Sequence, residues 1–535
     1  DRAANIHPPL YFFTLKGWIT FVGATPFAAR YLSVLLATLL PAAAGAWIGR
    51  RMDRRSGRVT ALLLALAPPF FIYGQEVRAY AALPLLTLAL LAEIWPSLKA
   101  GDEASGPRPA VCPALRPARL ALIQALFILT HYAGVIAVGW ANVILLIQTV
   151  RAHSPRRWRT WGRSLAWTIL FLAPWSFAVI QTGAVGLRSE AGISNALAEP
   201  LPWRYGLQLV GIFHAVGLPH ALADPLLTRS AALVGSLLLA GVIYAGVMSF
   251  RRGCRKSYPD SQFNIRNSSF AIPHSQFLIS LLVAWLLPLS AAPVIWWLSP
   301  QAHPRYLLPF VLGGWLVAAV LISARLLLRW FRAALLSAIL MMSLLGLRAY
   351  LTEPRYARSD VRAAATFLRE VAEPGDVVLL PHTDWTLPQY DTGAARPVML
   401  PDPTDDTAVA ATVAQAMMPG RTVYALDYER GALDPRGQVR ALLAWGGTLT
   451  ARHELPGLFL EAYKMDSAPR IPAPTPVTRE CIAGATPCLT SAALPERPES
   501  GAAMPVVLQW AGGPAPKRYA VALRLYAPGD ILVAG

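Results

Sequence analysis

Charge is scarce in this chain: only 15% of its 535 residues are Asp, Glu, Lys or Arg, and acidic residues number 30 against 48 basic ones. A soluble protein of this length carries roughly a quarter charged residues, so the deficit excludes an ordinary soluble enzyme. Cysteine is rare as well, at four residues, which excludes a disulfide-built scaffold. The cysteines also lack the paired spacing of a structural zinc site. The sequence starts at Asp1 with no initiator Met; it is expected to be truncated there, and a cleavable leader is neither indicated nor excluded.

Apolar residues fill the gap. They make up 55% of the chain, and the mean hydropathy is +0.43. Apolar segments of near-spanning length recur from Arg30 to Leu351, and the sequence beyond is more polar. The expected fold is a polytopic α-helical membrane protein with a C-terminal extracytoplasmic α/β domain and a partial β module. Spans are expected near 30–49, 59–73, 80–97, 118–131, 133–150, 165–182, 228–250, 277–298, 306–326 and 333–351.

The net charge of +18 does not point to nucleic acid, because of where it sits. Arginines crowd short loops between apolar runs: Arg50, Arg51, Arg54, Arg55 and Arg58; Arg151, Arg156, Arg157, Arg159 and Arg163; Arg251, Arg252 and Arg255; Arg325, Arg329 and Arg332. That is the positive-inside pattern, whereas a nucleic-acid binder gathers charge on one folded face. With these loops cytoplasmic, segment 9–23 cannot cross without breaking parity. It is expected to be a helix on the outer surface, preceded by an outer-face loop.

The same assignment sorts the polar residues. His7, Glu76, Arg78, Tyr80, His131, Tyr132, His303, Arg305 and Tyr306 all fall at or near the outer membrane face. Any one of them has an ordinary reading as a snorkelling anchor or interfacial-belt residue, but a random scatter would put half on the other side. Loop 183–227 is a long outer connection with a surface helix expected over 203–218, and loop 251–276 a polar cytoplasmic one. Beyond Leu351 helices are expected over 358–373, 407–418 and 434–446, with strands over 377–380 and 422–426. The domains are therefore 1–352 in the membrane, 353–466 as the α/β domain, and 467–535 as a proline-rich linker (468–476) with strands over 505–510 and 519–525. A disulfide between Cys481 and Cys488 agrees with an outer location, while Cys112 and Cys254 fall inside and unpaired.

Three motifs stand in order along the membrane region: Ile6-His7-Pro8-Pro9-Leu10-Tyr11, then Pro68-Pro69-Phe70-Phe71-Ile72-Tyr73-Gly74-Gln75-Glu76-Val77-Arg78-Ala79-Tyr80, then His303-Pro304-Arg305-Tyr306-Leu307-Leu308-Pro309. With Ala28-Ala29-Arg30-Tyr31-Leu32-Ser33 and His131-Tyr132, the set resembles the bacterial family 39-like glycosyltransferases of the GT-C class, relatives of protein O-mannosyltransferases and lipid A aminoarabinose transferases. The likeness spans most of residues 1–350. It implies a multi-pass protein of the bacterial plasma membrane that takes a polyprenyl-phosphate-linked sugar as donor, with a protein, lipid or glycan as acceptor on the outer face.

The chemistry so implied is displacement at the anomeric carbon: a carboxylate takes the acceptor hydroxyl's proton and the lipid phosphate leaves. Arg305 and Arg78 suit the departing phosphate, since the planar guanidinium fork matches its oxygens. In this family an Asp-Glu pair precedes the His-Pro-Pro-Leu motif. Here that position lies upstream of the sequence, with Asp1 as a remnant. Glu76 matches the family's Gln-Glu-x-Arg-x-Tyr pattern, as a catalytic carboxylate or as the partner of Arg78. His7 borders the donor head group in relatives, or caps its loop. Among cofactors only a divalent metal comes into question, held by His131 and His303 with His7 or Glu76, and the spacing does not call for one. Two other functions stay open: a transporter or flippase of lipid-linked saccharides, which would use discontinuous helices and internal repeats, and a non-catalytic relative binding polysaccharide.

Overall fold

The computed structural model describes residues 8–99, 116–196, most of 211–255, Leu282, most of 304–465 and the strand segments between 475 and 534. The expected span over 277–298, most of loop 251–276, the start of the 203–218 helix, and Asp1, His7 and His303 lie outside the described residues. The chain divides into two compact units, Asp1–Tyr356 and Ala357–Gly535.

The first unit is helical. Its described helices are α1 (Leu10–Val22), α2 (Pro26–Arg51), α3 (Arg54–Leu66), α4 (Pro68–Gly74), α5 (Ala82–Lys99), α6 (Pro117–Thr130), α7 (Ala133–Ala152), α8 (Pro155–Ala196), α9 (Pro225–Arg255), α10 (Leu308–Ser323) and α11 (Arg329–Thr352). Local chemistry sets several starts. The Thr25 hydroxyl accepts from Ala28 N at 3.1 Å ahead of α2, and Asp53 accepts from Ser56 N at 2.9 Å ahead of α3, each satisfying an otherwise orphaned amide. Five described helices are long and apolar enough to cross a membrane, or six if α3 and α4 count as one bent span. α6 has only 14 residues.

The expected continuous span over 59–73 is corrected by the structure. It breaks at Ala67 into α3 and α4, which meet at 54°. Pro68 and Pro69 carry no N–H for the helical ladder, and the proline ring drives the preceding residue out of the α region; Ala67 has φ −72° and ψ 115°. The break turns α4 so that its end delivers Gln75-Glu76-Val77-Arg78 into the turn Ala79–Ala81.

α2 and α3 pack backbone to backbone through Gly45, Gly49 and Gly57. A Cβ on Gly57 would lie 2.6 Å from the Gly45 carbonyl oxygen and 2.9 Å from Gly49 Cα, and neither backbone atom can swing aside. Small residues at such crossings allow the close approach that holds membrane helices together. Gly57→Ala is expected to destabilise the helical unit by about 1–3 kcal/mol, read as a lowered thermal midpoint in detergent; an unchanged midpoint would show that the helices separate freely.

In the second unit, β1 (Val377–Leu380), β2 (Arg396–Met399), β3 (Thr422–Tyr428), β4 (Gly447–Leu455) and β5 (Leu458–Met465) form one sheet in the order β2-β1-β3-β5-β4. The β2-β1-β3 portion is parallel, and β5 and β4 run antiparallel. Helix α12 (Val361–Val371) shares a core with Val378, Leu380 and Leu426, while α13 (Asp406–Ala416) and α14 (Gln438–Gly446) share another with Val377, Leu379 and Val423. Both faces of β1 are covered, and all four of its residues are apolar and buried, as a parallel core strand requires. Three further strands, β6 (Thr475–Cys481), β7 (Cys488–Ala493) and β8 (Val507–Ala511), make a separate antiparallel sheet. In it Cys481 and Cys488 are direct cross-strand partners. β9 (Leu525–Ala527) and β10 (Ile531–Ala534) pair with each other. Residues 519–524 of the expected last strand are outside the described set.

A charge network lies on the α14 side of the main sheet. Arg440 donates from one guanidinium nitrogen to Asp427 at 2.7 Å and from Nε to Glu461 at 2.9 Å, and Asp427 is fully buried. Burial works against the Arg440 charge, but the hydrogen bonds and charges of the two carboxylates outweigh it and raise its pKa. Tyr463, hydrogen-bonded to Glu461 at 3.4 Å, has its pKa pushed up to about 12, first by burial and then by the Glu461 charge. A raised tyrosine pKa adds stability that is complete below the unfolded value near 10 and is lost as pH rises toward the folded value. The melting temperature of the unsubstituted chain is therefore expected to fall more steeply between about pH 10 and 12 than that of Tyr463→Phe; parallel curves would count against it.

Candidate functional site

Three segment junctions of the helical unit meet at one place. Tyr80 sits in the turn that follows α4 and is 3% exposed. His131 joins α6 to α7. Arg305 and Tyr306 lie in the 3-10 turn Pro304–Leu307, which leads into α10, where Pro309 occupies the first turn and needs no amide partner.

The rings assemble in a circuit. Tyr80 and His131 are 5.5 Å apart between centroids, and His131 and Tyr306 are 5.4 Å apart. The Arg305 guanidinium carbon stands 5.5 Å from the Tyr80 centroid and 5.9 Å from that of Tyr306. One cation and one imidazole thus flank the same two phenols, within reach of cation–π attraction. Tyr73, at the end of α4, adds an edge contact to Tyr80 at 5.6 Å and another to Phe213 at 5.7 Å.

Glu76 and Arg78 border this cluster. Glu76 is half-buried and Arg78 exposed; both act electrostatically on Tyr80, and Glu76 and Tyr73 act on Arg305. Tyr11 of α1 is buried and hydrogen-bonds Ser33 of α2 at 3.0 Å. Tyr11 also packs with Ala79 and Leu32 and feels the charges of Arg78 and Glu76. The first two helices are thereby tied to the loop that carries Glu76.

Of the residues singled out by sequence, the structure brings together Tyr80, His131, Arg305 and Tyr306, with Glu76 and Arg78 in their field. Tyr132 is 40% exposed and interacts with Trp175 of α8, a helix outside the cluster. Asp1, His7 and His303 are outside the described residues. Sequence reasoning passed over Tyr73, Tyr11 and Ser33, although all three stand inside the motifs already quoted. Among the described residues no group of three or more His, Cys, Asp or Glu side chains gathers as a metal would require.

No protein-family model matches the chain, and no curated protein does. Several solved structures are similar. ArnT from Cupriavidus metallidurans, bound to undecaprenyl phosphate, shares 13% identity over 85% of this chain and 87% of its own, with a TM-score of 0.47. The Archaeoglobus fulgidus oligosaccharyltransferase in its apo form shares 11% over 87% of this chain and 67% of its own, at 0.40. The arabinofuranosyltransferase AftD from Mycobacteria shares 16% over 83% of this chain but only 35% of its own, at 0.35. At these TM-scores the likeness carries no argument. What stands is the chain's own arrangement: a cation, an imidazole and two phenols converging where apolar helices begin and end, beside a half-buried carboxylate.

Proposed function

We propose that the chain is a membrane glycosyltransferase that moves a sugar from a polyprenyl-phosphate donor to an acceptor at the extracytoplasmic face. The observation that carries this reading is the placement of Arg305 against Tyr80 and Tyr306 at the head of α10. A guanidinium fixed at the end of an apolar helix stands where it can meet the phosphate of a lipid whose tail lies in the surrounding bilayer, and a fork of donors matches its oxygens. Aromatic edges and an imidazole beside it suit a sugar, whose faces stack and whose hydroxyls need hydrogen-bond partners.

In the reaction the acceptor oxygen bonds to the anomeric carbon as the bond from that carbon to the phosphate oxygen breaks. The acceptor's proton passes to a carboxylate, for which Glu76 and Asp1 are the candidates. Arg305, with Arg78 nearby, meets the charge that grows on the leaving phosphate. The C-terminal domain is read as extracytoplasmic.

The test uses the full-length gene product in liposomes with undecaprenyl-phosphate carrying a radiolabelled sugar. Transfer to a supplied glycan, lipid or peptide acceptor supports the reading. Movement of the intact labelled lipid between leaflets without transfer would favour a flippase instead, the function that the bend between α3 and α4 would serve. Binding with neither transfer nor movement would favour a polysaccharide- or lipid-binding role.

A further inference from the structure

We propose that the exposed face of α3 binds an anionic phospholipid, with the phosphate on Arg54, Arg55 and Arg58 and the acyl chains along Leu62 and Ala65. The inference rests on the chain's crossing of a membrane and stands apart from the transfer reaction. α2 is long and apolar enough to cross, and α3 with α4 qualifies as a bent span. Only Met52 and Asp53 join α2 to α3, so this tight connection lies where a bilayer meets water.

Positive charge is crowded there. Residues 50–58 hold Arg50, Arg51, Arg54, Arg55 and Arg58 against one acidic residue, Asp53. That carboxylate is engaged locally: one oxygen accepts from Ser56 N and the other from the Ser56 hydroxyl, both at 2.9 Å. Arg51 folds back over Trp47, with 4.8 Å between its guanidinium carbon and the ring centroid. Arg50, Arg54, Arg55 and Arg58 are exposed, and among the described residues none of the four takes part in an ion pair. Their mutual repulsion is relieved only by an anion from outside the chain.

α3 gives this charge the outline of an amphiphile. Its buried side is Ser56, Gly57, Thr60, Leu63 and Leu64, pressed on α2 through Gly57. Its exposed side is Arg54, Arg55, Arg58, Leu62 and Ala65. Positions 54, 58, 62 and 65 succeed one another in steps of four and three, and Arg55 stands three before Arg58, so all five share one helical face. Along that face three guanidinia at the connection give way to apolar side chains within the span. Leu62 is 49% exposed, and at that depth its neighbours are acyl chains. Guanidinium forks match phosphate oxygens, and a phosphate held at the top directs the chains esterified to its glycerol down the same face. A soluble anion complements only the upper half of this surface.

The test counts lipids retained by the full chain in a non-ionic detergent, read by native mass spectrometry. Phosphatidylglycerol and phosphatidylcholine of the same chain length are supplied in equal amounts. Phosphatidylglycerol is expected to be preferred about 30-fold or more, and Arg54→Gln/Arg58→Gln to cut that preference roughly 25-fold, at about fivefold per arginine. Equal retention of the two lipids by the unsubstituted chain overturns the proposal without any variant. A preference that survives the double substitution overturns it too. So does one that falls as far in Arg362→Gln/Arg369→Gln, which removes the same charge from exposed positions of α12. Glycerol phosphate, which has the head without the chains, is expected not to displace the lipid at equal concentration; displacement would assign the arginines to a soluble anion and overturn the lipid site. These readings hold whether or not the chain transfers sugar.

Discussion

Arg305→Ala is expected to lower kcat/KM for sugar transfer by about 10²–10³-fold, the usual cost of deleting a preorganised donor to a charge that grows in the transition state. The guanidinium is half-buried between Tyr80 and Tyr306. Water screens it poorly there, so in the proposed reaction its pull on the leaving phosphate is expected to exceed a surface arginine's. Most of the loss is expected in kcat, because the phosphate becomes more negative as its bond to the sugar breaks. Arg305→Lys returns the charge without the fork, and is expected to recover only part of the rate. Both variants need an unchanged thermal midpoint for the comparison to count. Transfer within threefold of the unsubstituted chain in Arg305→Ala would remove the arginine from the reaction.

The largest effect on stability is expected in the second unit. Arg440→Met leaves Asp427, fully buried, and Glu461, 5% exposed, with their shared cation gone, and stranding buried charge costs about 3–5 kcal/mol. Arg452 does not replace it: its contact to Glu461 is 3.5 Å, half of its side chain is exposed, and no ion pair to Asp427 accompanies it. Neutralising the carboxylates as well, in Arg440→Met/Asp427→Asn/Glu461→Gln, is expected to restore much of the loss, since whole buried ion networks are often replaceable by neutral groups. The check is denaturation of the full chain followed by hydrogen exchange in β3 and β5. A triple variant as unstable as the single one would mean that Arg440 matters through packing, for instance over Phe459 at 5.6 Å, rather than through charge.

Much of the candidate cluster was legible because its members are ionisable or aromatic residues at the edges of apolar runs, where such groups stand out. Tyr80, His131, Arg305 and Tyr306 could be grouped by side of the membrane without coordinates. Their pairing could not, since the circuit depends on how α4, α7 and α10 pack. Tyr73 escaped because it closes an apolar run and reads as an interfacial belt residue. Tyr11 and Ser33 are 22 residues apart, and only the packing of α1 on α2 makes them partners.

The fold shows the same division. β1, β3, α12 and α13 followed from periodicity to within a few residues. The β4–β5 hairpin was missed, although Pro456-Gly457 is a turn signal and Gly457, at φ 67°, takes the backbone geometry that glycine admits without penalty. β4 is an edge strand with most of its residues partly or fully exposed, so no run of apolar residues marked it. The break at Ala67 had its prolines in plain view, yet the hydropathy of 59–73 alone reads as one span.

All sixteen residues of α10 are buried, and its spanning window is 89% enclosed by protein, whereas that of α9 is only 17% enclosed. Most of α9 is therefore open to lipid, and α10 scarcely at all. Stripping or exchanging the bilayer is expected to act first on helices of the α9 kind, and bilayer thickness to have little purchase on a helix so enclosed. The turn bearing Arg305 and Tyr306 leads directly into that enclosed helix, which anchors it to protein while the lipid around the unit changes.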